Sequence, residues 1–296
     1  MLGSVITAMV TPFRADGAVD LERFRELATF LVENGSDGIV VCGTTGESPT
    51  LSDDEKLDLF RTAVDAVGGR ATVIAGTGTY DTAHSAALTR EATELGVDGI
   101  LVVTPYYNRP PQRAIVRHFE EIAGATHLPV VAYNIPSRVV EKIESGTFER
   151  LAEIENVVAV KQALDDPEQA RFIVEDTRLD LYSGDDPNTL SFLDLGAVGV
   201  ASVTAHLWGP QIAEMIRRHR DGDIDAAGAL HEEQQPSYDL LRIQINPIPI
   251  KAALNLTAHE VGGHRLPMVE PDEAELTQIR SCLERSGLLA AATSSA

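Results

Sequence analysis

The stretch Val157-Val158-Ala159-Val160-Lys161-Gln162 runs an apolar, β-branched segment straight into a lysine. It is too short for a helix and rich in strand formers, so it reads as a buried β-strand with an amine at its end. Burial disfavours the charged form of a lysine, and a desolvated amine is a nucleophile suited to imine formation with carbonyl compounds. Of the 24 Lys and Arg residues only Lys56, Lys142, Lys161 and Lys251 are lysines, so where charge alone is wanted this chain uses arginine. The plainer reading of Lys161 is a strand-end side chain that snorkels to water or pairs with a carboxylate. On this stretch alone the two readings stand level.

Runs of the same kind recur at residues 5–10, 38–42, 72–75, 99–103, 130–133, 179–182 and 198–203. Their near-continuous hydrophobicity, rather than alternation, is what strands covered on both faces of a parallel sheet require. Amphipathic helical stretches separate them, for example at 20–34, 52–67, 82–95, 111–123 and 146–154. The second of these opens with Ser52-Asp53-Asp54-Glu55, the spacing of a capping box. Eight such strands predict a closed (β/α)8 TIM barrel over residues 1–205, with an open doubly wound sheet as the alternative. The first strand-to-helix connection has no Gly-x-Gly-x-x-Gly sequence, which weighs against dinucleotide binding. Beyond residue 203 the pattern turns wholly helical, at 210–220, 224–242, 249–256 and 271–286. Residues 206–289 therefore read as a C-terminal helical extension packed on the barrel, and residues 290–296 as a flexible tail.

Bulk properties narrow the function classes. A length of 296 residues suits one barrel, and a hydrophobic fraction of 44% supplies its core. The formal charge of −21 argues against nucleic acid and anionic membranes as partners. Two cysteines, Cys42 and Cys282, give no disulfide framework, and Cys42 sits in an apolar strand pattern as a small hydrophobe. The N-terminus lacks a signal-peptide pattern, and no stretch approaches the ~20 apolar residues of a membrane span. A soluble, cytoplasmic protein is expected.

Active sites of such barrels lie at the C-terminal ends of the strands. Following the runs to their ends collects Gly43-Thr44-Thr45-Gly46-Glu47, Gly76-Thr77-Gly78, Thr104-Pro105-Tyr106-Tyr107, Tyr133-Asn134-Ile135-Pro136-Ser137-Arg138, Lys161 and Ser183-Gly184-Asp185-Asp186 on one rim. The glycine-flanked threonines could form a mere turn, or offer hydroxyls and N–H groups to a small anion. Tyr133 reads as a core residue or, beside an imine-forming lysine, as a general acid and base. Arg138 reads as a surface ion pair or as the receptor of a substrate carboxylate. Asp185 and Asp186 would repel phosphate at the position where many barrels bind it. The histidines, including His84, His118, His206 and His264, show no paired ligand spacing and read as solvated helical positions. No metal and no cofactor are expected, which leaves the lysine to activate a carbonyl by itself.

Taken together, these motifs and Asn246-Pro247-Ile248-Pro249-Ile250-Lys251 resemble the 4-hydroxy-tetrahydrodipicolinate synthase (dihydrodipicolinate synthase) family, from about Gly3 to Leu289 and in the family's order. That family belongs to the pyruvate-dependent lyases and aldolases, which include N-acetylneuraminate lyase. The resemblance implies a Schiff base of pyruvate on Lys161 and proton transfer by Tyr133. It links Tyr133 through Thr45 and Thr44 to Tyr107, which reaches in from a neighbouring subunit of a homotetramer, a dimer of dimers. It further implies that Thr45 and the backbone at Ala201 hold the pyruvate carboxylate, that Gly184 contributes to substrate binding, and that Arg138 takes the carboxylate of aspartate 4-semialdehyde. Such an enzyme feeds lysine and diaminopimelate synthesis. Alternatives are another Schiff-base pyruvate aldolase, acting on N-acetylneuraminate, a keto-deoxy sugar acid or 4-hydroxy-2-oxoglutarate, or a non-catalytic pyruvate-binding regulator. Departures from the family pattern are Gln162-Ala163-Leu164 after the lysine and Val139-Val140 in place of a glycine. At the family's lysine effector site, implied here at Pro49, Lys56, Tyr80, His84 and Tyr106, Lys56 stands where a histidine is usual. A resident cation facing a cationic effector implies weak inhibition by lysine.

Overall fold

Residues 157–162 form the sixth of eight parallel strands. The computed structural model describes residues 2–257 and 259–290. The strands are β1 (Val5–Ala8), β2 (Gly38–Val41), β3 (Thr72–Gly76), β4 (Gly99–Val103), β5 (Val130–Asn134), β6 (Val157–Gln162), β7 (Asp180–Ser183) and β8 (Gly199–Ser202). They hydrogen-bond in sequence order, and β1 pairs with β8 to close the barrel. The expected strands agree with these to within a residue or two at each end.

A parallel strand needs a crossover, and helices supply it. They are α1 (Leu21–Glu33), α2 (Asp53–Val67), α3 (Thr82–Glu94), α4 (Gln112–Ala123), α5 (Pro136–Val139), α6 (Ser145–Ala152), α7 (Pro167–Asp176) and α8 (Thr189–Asp194). The capping box at Ser52 is present, with the Ser52 side chain accepting from the Glu55 N–H and Glu55 accepting from the Ser52 N–H. After β8 come α9 (Ala205–Arg220), α10 (Ile224–Glu233), α11 (Gln235–Ile243), α12 (Ile248–Leu256) and α13 (Glu273–Arg285). Two expected helices differ in detail. Helix α9 begins before Pro210 and carries a kink at Trp208 (φ −117°), where the proline ring opposes regular helix. The run expected as one helix over 224–242 is broken at Gln234, because Pro236 starts a new helix. Most of the expected tail, residues 291–296, lies outside the described residues.

Two cores flank the sheet. Inside the barrel pack Ile6, Val40, Ile74, Leu101, Val131, Tyr133, Tyr182 and Ala201; a larger core lies between the sheet and the helices. Successive strand side chains point to opposite faces. On β5 and β6, Tyr133 pairs in register with Lys161, and Asn134 with Gln162. Tyr133 and Lys161 face the interior, while Asn134 and Gln162 face the helices. Among the described residues no helix is long and apolar enough to cross a membrane.

The histidine expectation needs correction. His118 and His206 are buried, and the side chain of His264, which lies off the helices, is covered too. His206 Nδ1 donates to the Val203 carbonyl (2.8 Å), so Nε2 is the bare nitrogen that accepts the Val10 N–H (3.1 Å). These two bonds replace those that water would give an exposed ring. Desolvation lowers its pKa from 6.5 to about 4, and burial does the same for His118. Between those values the unfolded chain binds more protons than the folded one, so stability falls as pH drops from 6.5 towards 4. The loss is roughly 3 kcal/mol for His206. Urea unfolding measured across that window should show it, with a shallower slope in His206→Gln. An equally steep slope in the variant would show that other groups carry the effect.

Candidate active site

Three lysines are buried; Lys56 on α2 pairs with Asp53 (3.2 Å), and their partners tell the other two apart. Lys251, fully buried on α12, donates to the Thr11 carbonyl (3.0 Å), to Glu47 Oε1 (2.9 Å) and to the Gly263 carbonyl. All three of its protons are placed. Burial pulls its pKa down, and Glu47 opposes that. Lys161 is 4% exposed, and its Nζ lies 4.4 Å from the centroid of the Tyr133 ring. Among the described residues no carboxylate pairs with Lys161 and no hydrogen bond holds its Nζ, which instead borders an open cavity. The ion-paired reading of Lys161 therefore fails. The residue is buried but its nitrogen opens on the cavity, which leaves the amine free to meet a small molecule there.

The cavity, of about 400 Å³, is lined by Thr44, Thr45, Tyr133, Arg138, Lys161, Gly184, Asp185 and Asn246, among others. A neighbouring one of about 210 Å³ shares Thr44, Tyr133 and Arg138 and adds Pro49 and Tyr106. Ala201 sits with Tyr182 beneath Lys161, on the floor of the barrel interior. So Thr44, Thr45, Tyr133, Arg138, Lys161 and Gly184 converge on one space, as the strand ends foretold.

Fixed neighbours hold this wall. The Gly43–Glu47 loop is pinned by Thr11 Oγ1 donating to the Gly46 carbonyl (2.7 Å) and by Glu47, which is buried in the left-handed region (φ 55°) between Lys251 and the Arg265 N–H (3.1 Å). Asn246 Nδ2 donates to Thr45 Oγ1 (2.9 Å), and the Asn246 carbonyl accepts from Arg138 (2.8 Å). One residue of the extension thus ties the threonine loop to the arginine. Desolvation lowers the Arg138 pKa, while burial and then Asp186 raise that of Asp185. Asp186 is committed to structure, accepting from Ser202, the Val203 N–H (2.9 Å) and the Thr204 hydroxyl (2.7 Å). Sequence reasoning quoted Asn246 and Lys251 without roles. The lysine-in-an-apolar-run signal that found Lys161 applies equally to Lys251.

Tyr107 does not join the cavity of its own chain. It is 90% exposed at the tip of the β4–α4 loop, with φ 69°. The effector candidates fall into two groups: Asp53 contacts Lys56 Nζ (3.2 Å) and His84 Nε2 (2.7 Å), while the Tyr80 and Tyr106 rings meet edge-on at 5.3 Å and Pro49 and Tyr106 line the smaller cavity. Burial works against ionisation of Asp53, but His84 and Lys56 outweigh it and lower its pKa.

A closed parallel barrel with an unpaired rim lysine against a tyrosine ring, and an arginine in the same cavity, defines a class, the barrel lyases and aldolases. The chain belongs to the dihydrodipicolinate synthetase family, whose family model matches residues 1–286. It is 50% identical over 289 residues to the 4-hydroxy-tetrahydrodipicolinate synthase of Moorella thermoacetica, covering 97% of this chain and 99% of that one. Its backbone matches a dihydrodipicolinate synthase from Cyanidioschyzon merolae, solved with lysine bound, at TM-score 0.96 and 43% identity, over 97% and 99% of the two chains. A monomeric dihydrodipicolinate synthase variant matches at TM-score 0.93 and 36% identity, over 97% of each chain.

Proposed function

We infer that the protein condenses pyruvate with L-aspartate 4-semialdehyde to give 4-hydroxy-tetrahydrodipicolinate. The observation that carries this reading is the unpaired Lys161 amine, opening beside Tyr133 on a cavity that also holds Arg138. The Lys161 amine attacks C2 of pyruvate, and water leaves as the imine forms. Loss of a C3 proton gives an enamine, whose C3 attacks the aldehyde carbon of the second substrate, and the new alkoxide takes up a proton. Tyr133 moves these protons in a relay with Thr45, Thr44 and Tyr107. The substrate's own amino group then attacks C2, closing the ring and expelling the Lys161 amine. Thr45, Gly184 and the backbone near Ala201 hold the pyruvate, and Arg138 pairs with the second carboxylate. A coupled assay should show turnover with aspartate 4-semialdehyde far exceeding that with N-acetylneuraminate or keto-deoxy sugar acids. Preference for a sugar acid would overturn the assignment.

The exposed Tyr107, held at positive φ, supports a shared site in which it enters a neighbouring copy within a tetramer. Mixing the slowed Tyr107→Phe protein with inactive Lys161→Arg should then raise the activity above that of Tyr107→Phe alone, since some sites regain both native residues. No such rise, with a monomer in sedimentation, would contradict the shared site. Lysine is the natural ligand of a site at Pro49, Lys56, Tyr80, His84 and Tyr106. The Lys56 cation beside Asp53 competes with it there, so inhibition is weak, and a steep fall in activity at sub-millimolar lysine would sink that reading.

A further inference from the structure

Gln162 follows Lys161 directly, yet its side chain points to the other face of the sheet, where it is fully buried. There it joins a closed set of amides. Asn134 Nδ2 donates to Gln162 Oε1 (2.9 Å) and to Gln169 Oε1 (3.2 Å), and Gln162 Nε2 donates to the same Gln169 Oε1 (2.9 Å). Gln169 Nε2 donates to the Ile143 carbonyl (2.9 Å), and the Ile143 N–H returns to Asn134 Oδ1 (3.0 Å). Asn134, Gln162 and Ile143 are completely covered and Gln169 nearly so, and none of the three amide side chains has an unsatisfied atom.

The position of this set gives it a consequence for the site. Asn134 ends β5 and Ile143 closes the following loop, so both ends of the segment bearing Arg138 are fastened to one point. That segment resists its own conformation: Val140, β-branched, sits at φ 74° and ψ −48°, a region side chains avoid. Other bonds reinforce the far end. Gln112 binds the Lys142 carbonyl (2.8 Å) and the Glu144 N–H (3.1 Å), and Lys142 Nζ meets Asp166 (2.5 Å), whose other oxygen caps the Gln169 N–H (3.0 Å). The same register that puts Tyr133 beside Lys161 inside the barrel puts Asn134 beside Gln162 outside it.

We propose that the Asn134–Gln162–Gln169 amide network is the device that sets Arg138 relative to Lys161, so that Gln162 is a positioning residue for the carboxylate of the second substrate. This rests on the reading of Arg138 given above. The network works because it is neutral and each amide nitrogen faces an acceptor. A carboxylate at position 162 would face Gln169 Oε1, acceptor against acceptor, with no water to separate them. Gln169 cannot simply turn over, because its amide nitrogen is held by Ile143.

The test is Gln162→Glu, which keeps shape but replaces the donor with an ionisable oxygen. At a pH high enough to ionise the buried carboxyl, whose pKa burial raises, its KM for aspartate 4-semialdehyde should rise about tenfold, the worth of one buried hydrogen bond. The yield of pyruvate imine trapped by borohydride should stay at the wild-type level. On acidification the variant's KM should return towards wild type, because a protonated glutamate donates as the amide did. Gln162→Met should show the raised KM without that pH dependence. A KM unchanged in both variants, a rise in Gln162→Glu that ignores pH, or loss of imine trapping in step with the rise in KM would overturn the proposal. Failure of imine trapping in the unmodified protein would instead overturn the underlying reaction.

Discussion

Lys161→Arg is expected to abolish turnover, with a loss on the order of 10⁴-fold or more, because a guanidinium stays protonated and cannot form an imine. Arginine is bulkier, and at 4% exposure it has to extend into the cavity that Lys161 borders. Lys161→Ala removes that steric question, and it too should be inactive while remaining folded, since no hydrogen bond or ion pair of the described residues depends on Nζ. Pyruvate-dependent activity in the folded Arg variant above a thousandth of the native rate would refute the assigned role.

Tyr133→Phe should slow the reaction by roughly 10²–10⁴-fold, the usual weight of general acid–base catalysis. The ring stays in the interior core among Ile6, Val131 and Tyr182, so little stability is lost. Imine formation on Lys161 should survive, though slowly, because the nucleophile is intact and only its proton carrier is gone. The expected signature is a large fall in kcat with pyruvate still trapped by borohydride. A native rate in the variant would move the proton transfer to another group, with the Thr44 and Thr45 hydroxyls the nearest candidates on the cavity wall.

The barrel was legible because each strand is covered on both faces and so carries an unbroken apolar run. The rim was legible for a related reason, since polar residues that follow such runs have nowhere to project but into the mouth. Features decided by a single bond or ring were harder to read. Helices α10 and α11 share one amphipathic run, and only Pro236 divides them. His118 and His206 look like ordinary helical surface residues until a Thr82 hydroxyl and a Val10 N–H are found across the fold. Gln162 reads as a change next to the reactive lysine, yet the pleat sends it to the opposite face, where it binds α7. Val139-Val140 in place of a glycine places a branched side chain at φ 74°, and only the loop closing on Ile143 accounts for its being tolerated there. The distinction between Lys161 and Lys251 is likewise tertiary: both interrupt apolar sequence, but only one finds three acceptors.

The central claim is that the amine of Lys161 bonds covalently to pyruvate. Reduction with borohydride in the presence of pyruvate, followed by peptide mass analysis, tests it directly. The predicted result is one reduced pyruvyl group per chain, on Lys161 and absent from Lys251, with activity lost in parallel. An unmodified Lys161 in protein that still turns over, or a modification confined to another residue, would contradict it.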